Sequence, residues 1–189
     1  CNVVCLLCTV SFTLSEWRAE LADHLARDAA TGLYRLRGEP EQLDVLAGGP
    51  VTNVNAEKPL FMLQAEISSI YKRHGKVRKV HNLIYVRTLE DAEKLSLRLE
   101  QIGNLHSDGR PILGLDSRDL LEIMLECAPD AVMIPAHVWT PWFALFGSKS
   151  GFDSMEECFG DLTPHICALE TGLSSDPDMN RLWSHLDRY

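Results

Sequence analysis

The chain has 189 residues, with 18 Lys and Arg against 27 Asp and Glu for a net charge of −9, and 46% of its residues are hydrophobic. Such usage excludes a disordered or collagen-like chain and a protein that coats nucleic acid through bulk positive charge. The length suits one domain with a sizeable core, and no apolar run approaches the ~20 residues that span a bilayer.

The chain opens on Cys1 rather than Met and stops at Tyr189 within sequence that reads as structured, so it reads as a piece of a longer chain. Cys1, Cys5 and Cys8 crowd the terminus, while Cys127, Cys158 and Cys167 stand apart. This is not the disulfide framework of a small secreted fold, and a reducing, cytoplasmic setting is expected. The Cys1-x3-Cys5-x2-Cys8 spacing formally matches an iron–sulfur pattern, but Val3, Val4, Leu6 and Leu7 fill the gaps and favour a buried strand.

Ser15 starts a helix with Trp17, Leu21 and Leu25 on one face. From residue 30 to 59 the pattern dissolves into a Gly- and Pro-punctuated loop or insertion. Leu60 to Ala65 reads as a strand that ends at Glu66, and Val80 to Val86 as a second strand after a turn at Gly75. Thr88 caps a helix carrying Leu89, Ala92, Leu95, Leu99 and Ile102; Asp116 or Ser117 caps another with Leu120, Leu121, Ile123, Met124 and Leu125. Strands are expected at Ala131 to Ile134, ending at Pro135, and at Ile166 to Leu169, ending at Gly172. Strands alternating with amphipathic helices predict an α/β fold with a mainly parallel sheet or barrel.

The polar residues at strand ends carry the functional signal. Glu66, His81, His137 and Glu170 are expected at the ligand face of a parallel sheet, and two imidazoles with one or two carboxylates suit Zn²⁺, Mn²⁺ or Fe²⁺. Any one of these histidines alone reads more often as a hydrogen-bonded structural residue than as a ligand. Lys72, Arg73, Lys76, Arg78 and Lys79 form a local basic stripe beside Glu66 and His81, fit either for phosphates or for a solvated hairpin that resists edge pairing. Five aromatics fall between His137 and Phe152, as a packed loop or as a surface for an unstacked base. The segment from Gly172 to Pro177, with Asp176, fits a turn or a substrate contact.

Several long strings resemble one family. They are Gln64 to Tyr71, Lys76 to Leu83, Gly103 to Leu105 with Ser107 to Gly114, Ile134 to Trp142, and Leu169 to Pro177. Over roughly Ser15 to Tyr189 the chain resembles the PHP domain of endonuclease Q, a family whose relatives also carry UvrD-like helicase names. The resemblance implies a PHP-type distorted (β/α)7 barrel, incomplete in this chain, with residues 1–189 as a partial domain. It implies an endonuclease that nicks DNA 5′ of hypoxanthine, uracil, xanthine or an abasic site, using two or three divalent ions (Zn, Mn or Mg), with the remaining domains of a parent protein as partners. Alternatives are a PHP phosphoesterase on a small phosphate ester and a metal-free DNA-binding module.

By that resemblance Glu66, His81 and His137 match metal ligands. Tyr71, Lys72, Arg73, Lys76, Arg78, Trp139, Lys149, Glu170 and Asp176 fall in segments expected to meet the substrate. The family's His-x-His pair would precede Cys1 and its closing Asp-x-His would follow Tyr189, while Ser11 and Leu14 stand where the family has Asp and His. The resemblance therefore predicts a chain with about half of the ligand set and impaired activity on its own.

Overall fold

A computed structural model describes residues 3–7, 23–37, 60–106, 110–172 and 175–189. The helix expected from Ser15 lies outside them up to residue 22, as do Ser11 and Leu14. Its last expected member, Leu25, lies in a strand instead. Within the expected loop at 30–59, residues 38–59 also lie outside.

The centre is a long hairpin, β4 (Leu60–Arg73) and β5 (Lys76–Val86), joined by His74 and Gly75. Both turn residues have positive φ, 51° and 74°, the geometry of a two-residue turn whose twist matches the strands it connects. The register runs from Arg73↔Lys76 to Leu63↔Val86 without a break. Before it stand β1 (Val3–Leu7), β2 (Leu25–Arg27) and β3 (Tyr34–Leu36); after it come β6 (Ile112–Leu113) and β7 (Val132–Pro135). β1 and β6 pair parallel to β4, whereas β2–β3, β3–β4, β4–β5 and β5–β7 are antiparallel.

The fold is therefore mixed α/β, but the sheet is not mainly parallel. The tight turn at His74-Gly75 forces the central pair antiparallel, and β7 returns antiparallel to β5. Glu66 and His81 accordingly lie inside strands, not at strand ends. The strand expected at Ile166 to Leu169 is irregular. It meets its neighbour through Glu170 N–H to Pro135 O (3.1 Å) and Val138 N–H to Glu170 O (2.9 Å). Between those bonds His137 turns left-handed, which interrupts a ladder.

The hairpin has two unlike faces because side chains alternate along a strand. One face carries Leu63, Ile67, Val80, Ile84 and Val86, all buried in the core. Into the same core pack α1 (Leu89–Glu100) through Leu95 and Leu99, and α2 (Ser117–Cys127) through Leu120, Leu121, Ile123 and Met124. Thr88 caps α1 by accepting from Asp91 N (3.0 Å), and Asp116 caps α2 by accepting from Arg118 N (2.9 Å). Ile102 falls beyond α1 and is exposed. Short helices α3 (Met155–Phe159) and α4 (Pro177–Arg181) follow. Among the described residues no helix is long and apolar enough to cross a membrane.

The loop after β7 is held along the free edge of β5 by Lys79 N–H to Ser150 O (3.1 Å) and His81 N–H to Phe143 O (3.0 Å). Gly151 lets this loop close: a Cβ there would run into the backbone of Ala144, Leu145 and Gly147. Gly75, in contrast, has open space around it and is required only for its φ. Gly75→Ala should therefore cost about 1–2 kcal/mol of unfolding free energy in urea titration. Gly151→Ala should cost more, because backbone must move; equal costs would refute the close-packed loop.

Candidate metal centre

The second face of the hairpin carries Gln64, Glu66, Ser68 and His81, Leu83, Tyr85. Glu66 pairs with Leu83 and Ser68 with His81, so Glu66 and His81 are diagonal neighbours on that face. His137 arrives from beyond β7, where Ala136 N–H donates to His81 O at 2.9 Å. It has φ 32°, a conformation that L-residues avoid and that tertiary contacts must enforce. Those contacts are present. The Glu170 carboxylate accepts from His137 N–H at 2.6 Å, and Thr140 Oγ1 lies 2.9 Å from His137 Nδ1.

Three donor atoms converge. His81 Nδ1 is 3.0 Å from His137 Nε2 and 3.4 Å from Glu66 Oε1, and His137 Nε2 is 3.7 Å from the same oxygen. A tetrahedral ion at about 2.05 Å from each ligand would separate them by about 3.4 Å. The triangle thus has the size of one face of such a shell, and its donors are those that Zn²⁺, Mn²⁺ and Fe²⁺ accept. Glu66, His81 and His137 fit a divalent metal.

Their protonation follows from their neighbours. Thr140 sends its hydroxyl proton toward a carbonyl, Trp142 O at 2.9 Å or His137 O at 3.2 Å, so it accepts from His137 Nδ1–H. That leaves His137 Nε2 as a lone pair facing the centre. Burial, then the neighbouring Arg110 guanidinium, pushes the His81 pKa down to about 3 and keeps that imidazole neutral. The Phe143 ring stacks on it, with centroids 4.6 Å apart, and shields it from water. Arg110 completes the cluster, with Nη2 2.6 Å from Glu66 Oε2 and Nη1 3.3 Å from His81 Nε2.

The other expected site residues divide. Arg73 is committed to Asp116 (3.2 Å) and Cys158 O (2.8 Å), and Arg78 is buried against Gly151 O and the Phe152 ring. Tyr71 points to the helix side, where burial drives its pKa up and its hydroxyl meets Cys158 Sγ at 3.9 Å. Trp139 packs with Phe146 and Trp183 and donates its indole N–H to Asn180 Oδ1 at 2.7 Å. Asp176 caps α4 by accepting from Met179 N at 2.8 Å.

Lys76 and Lys149 line an open groove of about 680 Å³ with Lys79 and Trp142, while Lys72 stands exposed outside it. Trp142 is 51% exposed and the Lys79 ammonium lies 5.3 Å from its ring centroid. Sequence reasoning missed Arg110, Thr140, Phe143 and Trp142 as site residues. Arg110, Thr140 and Trp142 did lie within the strings that carry the resemblance, and Phe143 within the aromatic run after His137.

Glu170 acts on the backbone of His137 and Asp176 on a distant cap. Glu170→Ala should weaken binding of Mn²⁺ or Zn²⁺ by about 10–100-fold in calorimetric titration, and Asp176→Ala should leave it unchanged.

No protein-family model and no curated protein matches the chain. Two solved structures do. The lesion-specific endonuclease EndoQ of Pyrococcus furiosus is 25% identical with a TM-score of 0.63, over 97% of this chain and 37% of its own. An endonuclease Q bound to a 27-mer duplex with an abasic lesion at its active site is 26% identical with a TM-score of 0.58, over 93% of this chain and 35% of its own. The chain thus spans little more than a third of the length of these proteins. Nearly all of the chain's length thus follows the fold of these two endonuclease Q structures.

Proposed function

We propose that this chain contributes the metal-holding part of a PHP-type endonuclease that cuts DNA 5′ of a deaminated base or an abasic site. The convergence of Glu66, His81 and His137 on one point carries this reading. The likeness to an endonuclease Q with abasic-lesion DNA at its active site supplies the substrate class. On this reading the fold is part of a distorted (β/α)7 barrel, residues 1–189 are one partial domain with an insertion near 30–59, and the setting is the reducing cytoplasm, consistent with free Cys127, Cys158 and Cys167.

A divalent metal, Zn, Mn or Mg, would supply an activated hydroxide and stabilise the leaving oxygen. The chain's own residues do the rest. Glu66, His81 and His137 hold the ion, Thr140 and Glu170 orient His137, and Phe143 keeps water off His81. The DNA backbone follows Lys72, Lys76, Lys79 and Lys149, and a base stacks on Trp142. Tyr71, Arg73, Arg78 and Trp139, first expected to meet substrate, are assigned to holding the surface in shape.

The full-length protein should nick a duplex containing one abasic site or one hypoxanthine when given Mn²⁺, Mg²⁺ or Zn²⁺, and chelation should stop it. His137→Ala should lower the rate by at least about a hundredfold. No nick with any of the three metals would defeat the proposal, and turnover of small phosphate esters instead would redirect it.

The groove makes a second prediction. Lys149→Ala should reduce the slope of log K against log salt for DNA binding by about 0.9, and Trp142→Ala should weaken binding by about 1–3 kcal/mol, both without lowering the melting temperature. Arg78→Ala should lower the melting temperature. An unchanged slope for Lys149→Ala would remove it from the DNA surface.

A further inference from the structure

Arg110 occupies a position that a substrate-binding residue would not ordinarily take. Its guanidinium touches two of the three converging groups, Glu66 Oε2 and His81 Nε2. A guanidinium only donates, so His81 Nε2 must be unprotonated there. With Nε2 accepting, the His81 ring proton sits on Nδ1, aimed at the centre of the triangle and at the lone pair of His137 Nε2, 3.0 Å away. A metal needs the Nδ1 lone pair instead. Binding one moves the proton to Nε2, which then opposes the Arg110 donor. The added dication repels the same guanidinium through Glu66.

We propose that the Arg110 guanidinium is an internal occupant of the Glu66–His81–His137 site, that it competes with a divalent cation for those ligands, and that a bound cation turns it outward to receive a phosphate. Its exposure permits the movement: the side chain is 38% accessible and lies at the solvent side of the buried His81. Once released from His81 it keeps planar, paired donors, the geometry that grips two phosphate oxygens. One charged side chain thus serves two successive partners and links metal loading to phosphate binding. The competition stands on the site geometry alone, and the phosphate half rests on the function proposed above.

The test uses the full-length protein with Arg110→Gln and Arg110→Lys, and with Mn²⁺ alone followed by inorganic phosphate. Calorimetric titration should show Arg110→Gln binding Mn²⁺ about tenfold tighter than the wild type, because a competing positive charge has gone. Arg110→Lys, which keeps the charge, should stay near the wild type. Mn²⁺-loaded Arg110→Gln should then bind phosphate about tenfold more weakly than the Mn²⁺-loaded wild type. Unchanged or weaker Mn²⁺ affinity in Arg110→Gln overturns the competition, and unchanged phosphate affinity overturns the hand-over. If no variant binds Mn²⁺, the inference fails together with the metal site. If metal and phosphate behave as stated while lesion DNA stays uncut, the inference stands and the substrate assignment falls.

Discussion

The register of the β4–β5 hairpin is the constraint on which the site depends. Its His74-Gly75 turn allows no slack, and a one-residue slip would send every side chain to the opposite face. With the observed pairing, Leu63, Ile67, Val80 and Ile84 enter the core, which leaves Glu66 and His81 together on the other side. The hydrophobic effect thereby places two polar groups it never touches. Slipping the register would expose the core residues, so the core enforces the spacing of Glu66 and His81.

The third member of the triangle is placed by a different kind of force. His137 follows β7, and no ladder determines its direction. A left-handed backbone turns it toward His81, and the cost is met by a short charge-assisted bond from its N–H to Glu170. The loop that follows is tied to the β5 edge at Lys79 and His81, which brings Phe143 over the imidazole. Edge coverage and site construction are the same event here. The backbone donors of β5 that would invite a foreign strand are spent on the loop that finishes the pocket.

Much of this was legible in the sequence. The two caps at Thr88 and Asp116 and the turn at Gly75 follow from local chemistry and period, whereas the set Glu66, His81, His137 was singled out by the family resemblance and not by spacing. The basic stripe shows where legibility ended. Lys72, Arg73, Lys76, Arg78 and Lys79 are contiguous in sequence, but strand alternation sends Arg73 and Arg78 to the helix side, where Asp116 and Phe152 receive them. Counting parity from the turn would have separated them from Lys72 and Lys79. No such count distinguishes Trp139 from Trp142, because an irregular loop has no period; which ring is packed depended on Phe146, Asn180 and Trp183 meeting it. The parallel sheet was expected from strand–helix alternation, a signal that cannot see whether a connection is a tight turn or a crossover.

Charge balance explains why the three ligands can face one another at all. A carboxylate and two imidazole nitrogens aimed at one point, with His81 nearly desolvated, form an arrangement short of positive charge. Protonating His81 is opposed by its burial and by the neighbouring Arg110. The shortage can be relieved only from the solvent side, where Arg110 approaches Glu66. A residue of one charge with several donors partly satisfies this need but does not fill the centre of the triangle. Two charges concentrated at one point would satisfy both the carboxylate and the imidazoles, a need that neither a proton nor a lysine meets.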